Sequence, residues 1–329
     1  EAAVVDGEFS FDKEKLGRVS EDKTAAERYK EIALGMGGKE LPLQGLKVVL
    51  DCANGCFSKI MPEVFAKLGA DVTALSCMPD GTNINRDCGS QHIDAMTAKV
   101  RDCGAMLGIA ADGDGDRIII CDEKGNRVDG DQIIAFLGKY YKEHNRLKAD
   151  TVVATIVSNP ALDRFLEGIG VKCVRSAVGE RYVIEEMKKC GSNIGGEESG
   201  HMVVADYAKT GDTMMAALVI AMGLLQSGKK MSEIFPLFTS MTRKRIDSKF
   251  CGKDEMLAAF ELAAFQAEIK QGEADIAGKG RILVRKSGTE PKIQVWVWGD
   301  DVPLATAVSN RIASVLEKAD GFESRKEVL

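Results

Sequence analysis

Short apolar runs alternate along this chain with longer stretches of helical spacing, and each change of rhythm is marked by glycine, proline or asparagine. Thr24 to Met36 has helical spacing closed by Gly35-Met36-Gly37-Gly38, after which Pro42 to Gly45 leads into the apolar run Leu46 to Leu50. A strand then covers Val48 to Leu50. The turn Asn54-Gly55, a helix to Leu68, Gly69 and a second strand, Val72 to Leu75, follow. This order predicts βα units around a mostly parallel sheet.

The cadence returns. Thr151 to Val157, the turn Ser158-Asn159-Pro160, a helix to Ile169, Gly170 and Val171 to Val174 repeat the first unit. The second halves agree as well. Cys103-Gly104-Ala105-Met106-Leu107-Gly108 runs into an acidic loop at Asp112, and Cys190-Gly191-Ser192-Asn193-Ile194-Gly195 runs into Gly196-Glu197-Glu198-Ser199-Gly200-His201. Two similar α/β domains are expected, each placing an acidic loop just after a strand, where open α/β sheets bind ligands.

From Arg243 the pattern becomes a strand, one long helix (Lys253 to Ile269), two strands (Arg281 to Arg285 and Lys292 to Trp298) and a last helix (Val302 to Lys318). The fold class is therefore α/β: two similar α/β/α domains with mostly parallel or mixed sheets, plus a smaller C-terminal α+β domain with an antiparallel sheet. The expected boundaries are 1–38 (end of a preceding domain and linker), 39–146, 147–241, 242–322, and a charged tail 323–329 that frays. Met214, Met215 and Met222 follow helical spacing and read as core. Trp296 and Trp298 share one strand face and are expected to pack on the C-terminal helices.

At 329 residues and 45% hydrophobic content, the chain can hold two or three cores of about 100–150 residues each. A net charge of -6 without any Lys/Arg-rich block argues against nucleic acid, although local basic pockets for small anions remain compatible with it. Nine cysteines without a CxxC pair read as free thiols in a reducing, cytoplasmic setting rather than a disulfide framework. No apolar run of about 18 residues predicts a membrane span. Ala2 to Gly7 reads like the interior of a longer chain.

The chemistry concentrates in Asp112-Gly113-Asp114-Gly115-Asp116-Arg117. Three carboxylates on alternate residues repel unless a cation holds them, and the intervening glycines let them converge on a hard ion such as Mg²⁺. Arg117 suits an anion beside that metal. The plain alternative is a solvated Asp/Gly turn. An EF-hand loop, with Asp112, Asp114, Asp116 and Glu123 at ligand positions 1, 3, 5 and 12, fails because its sharp-turn glycine is Arg117 and the strand-like run Ile118-Ile119-Ile120-Cys121 follows.

Arg285-Lys286-Ser287-Gly288-Thr289-Glu290-Pro291 offers a guanidinium, two hydroxyls and amides around a glycine, an inventory that fits a phosphate monoester or an ordinary polar hairpin. Glu197, Glu198, Ser199 and His201 suit sugar hydroxyls or a solvated turn, and His201 is not selected as a base. Arg181 either meets an anion or pairs with Glu185 at i+4.

The order of metal loop, acidic loop and phosphate loop resembles the α-D-phosphohexomutase superfamily from about residue 40 to 320. Asn83-Ile84-Asn85 followed by Cys88-Gly89-Ser90, with the Gly196 to His201 and Arg285 to Pro291 segments, is similar to the bacterial phosphoglucosamine mutases. The resemblance implies that Asp112, Asp114 and Asp116 ligate Mg²⁺ and that Arg117 faces a phosphoserine. It also implies that Glu197 and Ser199 contact the sugar, while Arg285, Ser287, Gly288 and Thr289 grip the non-transferring phosphate; Arg181 is kept beside them as a candidate substrate contact on its own chemistry. Family members begin with a domain carrying Ser-His-Asn-Pro, which nothing here matches; the chain resembles domains two to four.

The activity so implied is interconversion of glucosamine 6-phosphate and glucosamine 1-phosphate through a 1,6-bisphosphate, feeding UDP-GlcNAc and cell-wall synthesis. Mg²⁺ and a glucosamine or glucose 1,6-bisphosphate are the expected cofactors. The partner is a small phosphosugar, with no nucleic acid or membrane, and a homodimer stands as an option for assembly. This chain alone is expected to be inactive. The alternatives are a non-catalytic phosphosugar-binding module, a related phosphoglucomutase or phosphomannomutase, and a metal-dependent sugar phosphatase.

Overall fold

The computed structural model describes residues 19–36, 42–287 and 290–328. Most of the expected N-terminal segment 1–38 lies outside them. What is described begins with α1 (Ala25–Gly35), which docks by the Tyr29 hydroxyl donating to the Asp212 carboxylate at 2.8 Å.

The first βα cadence builds β1 (Lys47–Asp51), α2 (Ile60–Lys67), β2 (Asp71–Leu75), α3 (Asp94–Cys103), β3 (Leu107–Ala111), β4 (Ile118–Asp122) and β5 (Arg127–Val128). The sheet order is β2-β1-β3-β4-β5. Strand β1 runs parallel to β2 and β3, in register Val48↔Val72 and Val48↔Leu107, whereas β3 and β4 form an antiparallel hairpin. The β3 and β4 residues are all buried, which is why these strands read as continuous apolar runs without alternation.

The repeat is structural. Strands β6 (Thr151–Thr155), β7 (Lys172–Ser176), β8 (Ile194–Gly196) and β9 (Met202–Val204) take the order β7-β6-β8-β9, parallel at β6 and antiparallel at the β8–β9 hairpin. Helices α4 (Gly130–Glu143), α5 (Ala161–Gly168), α6 (Glu180–Cys190), α7 (Thr213–Ser227) and α8 (Met231–Ile234) accompany them. Helix α7 is apolar all round and buries Met214, Met215 and Met222. It packs on β3 and β4 of the first sheet and on β9 of the second, so one continuous core runs from Ala33 through Phe235.

The C-terminal unit has its own core. Strands β10 (Thr242–Phe250), β11 (Gly280–Lys286), β12 (Lys292–Gly299) and β13 (Phe322–Val328) form an all-antiparallel sheet in the order β11-β12-β10-β13. Its helices are α9 (Lys253–Phe260), α10 (Ala263–Asp275) and α11 (Val302–Leu316).

Three expectations are corrected here. The long helix from Lys253 is two helices, because Leu262 adopts an extended ψ of 127° as the N-cap of α10. The segment expected to fray pairs along β10 as an edge strand, with Arg245 opposite Val328; residue 329 lies outside the described residues. Trp296 and Trp298 do share a face, but Ile293, Val295 and Val297 on the opposite face meet the helices. The indoles instead join Ala161 and Met241 of the second α/β unit.

Candidate functional site

The β3–β4 hairpin presents its loop at the carboxyl end of β3. Asp112 is buried, Asp116 half-buried and Asp114 exposed, and each offers a carboxylate oxygen within 4.8 Å of the others. The Arg117 amide donates to Asp112 Oδ1 at 3.0 Å and the Gly115 amide to the Asp112 carbonyl at 3.2 Å, which fixes the turn. Asp116 Oδ1 is buried with no hydrogen-bond donor among the described residues. Arg117 Nε stands 3.9 Å from both Asp112 Oδ2 and Asp116 Oδ1, too far to satisfy either. Burial first, and then the neighbouring carboxylates of Asp116 and Asp114, push the Asp112 carboxyl well above its ordinary value. An orphaned carboxylate oxygen in an all-oxygen donor set fits a hard divalent cation, with Asp112, Asp114 and Asp116 holding it. Glu123, the last position of the EF-hand pattern, is turned away and accepts from the Ser232 amide at 3.1 Å.

The β8–β9 hairpin presents the second loop in the same way. Glu197 Oε1 accepts from the Gly179 amide at 2.8 Å, and the Gly200 amide donates to the Glu197 carbonyl at 3.0 Å; Ser199 is exposed at the tip. The two loops meet main chain to main chain. The Ile118 amide donates to the Gly200 carbonyl at 2.9 Å, and Arg117 and His201 form a bridge; from outside both loops, Thr213 adds its amide to the Gly115 carbonyl at 3.0 Å and its hydroxyl to the Arg117 carbonyl at 2.8 Å. Gly200 has φ +98°, and a Cβ there would lie 2.3 Å from the Ile118 carbonyl oxygen. Gly130, at the start of α4, is pressed as closely, 2.3 Å from the Glu197 carbonyl oxygen.

Beneath the contact sits buried His201, with Nδ1 3.4 Å from Asp116 Oδ2 and Nε2 3.3 Å from Glu180 Oε1. The same Glu180 oxygen accepts from the Gly211 amide at 2.7 Å and from the Thr210 hydroxyl. Sequence reasoning passed over Glu180 in favour of its neighbour Arg181; an acidic residue in the first turn of α6 is ordinary helix-dipole chemistry, and only the fold brings His201 against it. Arg181 pairs with Glu185 at 2.9 Å, the i+4 contact.

Arg285 lies half-buried near the end of β11, opposite Gln294 on β12. The Ser287 amide donates to the Lys292 carbonyl at 2.9 Å and the Glu290 amide to Ser287 Oγ at 3.3 Å. Gly288 and Thr289 lie outside the described residues. Among the described residues, neither Arg285 nor Ser287 has a hydrogen bond or ion pair to the other two loops. What links the C-terminal unit to the acidic loop is Arg243, missed by sequence reasoning, whose Nη1 lies 2.7 and 2.8 Å from the two Glu198 oxygens. A cavity of about 260 Å³ beside this pair is lined by Asp129, Asp131, Asn159 and Trp298 among others. A groove of about 420 Å³ lined by Phe136, Tyr140 and Gly223 includes none of these residues.

Residues 29–125 match the phosphoglucomutase/phosphomannomutase alpha/beta/alpha domain II, residues 129–241 its domain III, and residues 248–315 its C-terminal domain. The chain is 44% identical over 308 residues to the phosphoglucosamine mutase of Paramagnetospirillum magneticum, covering 93% of this chain and 68% of that protein. It is 44% identical over 304 residues to that of Rhodospirillum centenum, covering 92% and 64%. The chain thus spans about two thirds of the length of these relatives. Among solved structures, a phosphoglucomutase/phosphomannomutase family protein from Burkholderia thailandensis superposes with a TM-score of 0.76 at 18% identity, over 98% of this chain and 70% of that one. An Aspergillus fumigatus N-acetylphosphoglucosamine mutase in complex with GlcNAc-6P and magnesium gives 0.68 at 18%, over 88% and 69%. The sheets, hairpin loops and sequence agree: the chain belongs to the α-D-phosphohexomutase superfamily, among the bacterial phosphoglucosamine mutases.

Proposed function

We propose that this chain supplies the metal, sugar and phosphate sites for interconversion of glucosamine 6-phosphate and glucosamine 1-phosphate through a 1,6-bisphosphate. The product would feed UDP-GlcNAc and cell-wall precursor synthesis. The observation that carries the reading is the convergence of Asp112, Asp114 and Asp116 on a hairpin loop whose main chain is bonded to the loop bearing Glu197 and Ser199.

Asp112, Asp114 and Asp116 would hold Mg²⁺, which would supply charge neutralisation for the transferring phosphoryl oxygens. Arg117, beside that cluster, would hold the phosphoryl donor's anion. Glu197 is already oriented by the Gly179 amide, so its remaining lone pairs can accept from two sugar hydroxyls without the loop reorganising. Arg285 and Ser287, with Gly288 and Thr289, would grip the phosphate that stays on the sugar, and Arg181 would add a guanidinium at the cleft edge. A neighbour of the same fold, in complex with GlcNAc-6P and magnesium, supports a phosphosugar and a divalent cation as the ligands. Nucleophilic transfer itself calls for a phosphoserine, for which the sequence offers no Ser-His-Asn-Pro match.

Calorimetry on this chain tests the reading. Glucosamine 6-phosphate should bind, Mg²⁺ should raise the melting temperature, and Asp114→Ala should remove the Mg²⁺ response while shifting metal-free stability by no more than about 0.5 kcal/mol, since its side chain is exposed. Equal Mg²⁺ responses in both proteins, or release of inorganic phosphate from glucosamine 6-phosphate, would overturn it. Tighter binding of glucose or mannose 6-phosphate would redirect it to a related hexomutase.

A further inference from the structure

The acidic loop is held from below by α4 and α6, but one of its carboxylates is held from outside the α/β units. Glu198 takes both oxygens to Arg243 Nη1, at 2.7 and 2.8 Å, and Arg243 belongs to β10, the first strand of the C-terminal unit. Neither partner is a free surface charge: each side chain is 34% exposed, and the guanidinium carbon lies 5.1 Å from the Trp296 ring centroid. A backing aromatic face and a carboxylate met through both oxygens distinguish this pair from the exposed ion pairs that contribute little. The strand carrying Arg243 is itself anchored two residues earlier, where the Asn159 side chain donates to the Met241 carbonyl at 2.9 Å and accepts from the Met241 amide at 3.1 Å. On the other side of Glu198, its carbonyl accepts from the Gly130 amide at 3.2 Å. Glu198 is therefore gripped by main chain from the α/β side and by a side chain from the C-terminal side, and its neighbours are Glu197 and Ser199.

We propose that Arg243 is a positioning residue, which sets the conformation of the 197–200 loop through Glu198 so that sugar binding depends on the C-terminal unit being docked. The proposal rests on the reading above that this loop receives the sugar. It gives the small unit two roles: it carries the phosphate grip at Arg285 and Ser287, and by seating itself it also shapes the sugar site. A phosphosugar that engages the grip first thereby selects the arrangement in which Glu197 and Ser199 are presented.

Two readouts on this chain test it. The first is amide hydrogen exchange without ligand: Arg243→Ala should speed exchange about ten-fold at the Gly200 and Gly130 amides, which donate to the Glu197 and Glu198 carbonyls, while the Ile194 and Val204 amides stay protected. The second is calorimetry with glucosamine 6-phosphate, where Arg243→Ala and Glu198→Ala should each weaken binding about ten-fold and the double variant should be no worse than either, the signature of one coupled interaction. Mg²⁺ affinity should not change, and Arg243→Lys should recover part of the loss, since a lysine keeps the charge but loses the planar guanidinium over Trp296. Unchanged exchange at Gly200 and Gly130, or additive losses in the double variant, would overturn the proposal. Absence of phosphosugar binding by the unsubstituted chain would instead reject the functional reading, and the exchange experiment would still decide the role of Arg243.

Discussion

Asp131 shows what a single residue can hide. It sits in the first turn of α4, 2% exposed, with Oδ2 accepting from the Asn159 amide at 2.7 Å and Oδ1 without a partner among the described residues. Burial, with Glu198 and Asp129 adding their charge, pushes its carboxyl up to about 7 from 3.8. A raised folded value means that the folded state binds the proton more tightly. The resulting stability is complete below the unfolded value, is lost progressively as pH rises, and is gone above about 7. Asp131→Asn cannot ionise, so urea unfolding should move in favour of the variant by on the order of 2 kcal/mol between pH 5 and pH 8; parallel curves would show that Asp131 stays charged. Nothing in the sequence marks this residue. The Asp112 trio was legible because three like charges in six residues are improbable without a cation, whereas Asp131, Glu180 and Arg243 owe their surroundings to segments 28, 21 and 45 residues away, around Asn159, His201 and Glu198.

At the scale of elements, the two βα cadences were readable because buried parallel strands carry unbroken apolar runs and each is closed by Gly69 or Gly170 with positive φ. The C-terminal unit was read less well, and the two failures over its elements have a physical reason. Edge strands carry charge to discourage pairing with other molecules, so Glu323 to Val328 looked like a tail although Phe322 packs edge-on against Phe250, with ring centroids 6.1 Å apart. The break between α9 and α10 has neither glycine nor proline. Removing residues 322–328 would expose the β10 edge and take Phe322 from the core. The expected cost is about 2–4 kcal/mol in the C-terminal unit, with concentration-dependent association, readable by urea unfolding and light scattering. A truncated chain that unfolds and sediments like the full one would show that β13 contributes no stability.

Across the whole molecule, one core serves both α/β units while the C-terminal unit keeps its own. The junction between them is polar and aromatic. Arg281 reaches from β11 to the Ile156 and Ser158 carbonyls, the latter at 3.1 Å, with its guanidinium 4.8 Å from the Trp298 ring, and Arg164 meets Asp300 at 2.8 Å. Arg281→Ala should weaken this junction by about 2–3 kcal/mol, because it strips charged donors from two carbonyls. Differential scanning calorimetry should then resolve an earlier C-terminal transition; a single unshifted endotherm would mean that the junction does not depend on it. The contact at Gly200, between the two α/β units, has the opposite character. Where backbone abuts backbone there is no rotamer to yield and no room for a methyl group, so this contact has little room to slide. Any swing of one unit against the rest falls to the joint built from long, exchangeable side chains at Arg281, Arg164 and Arg243.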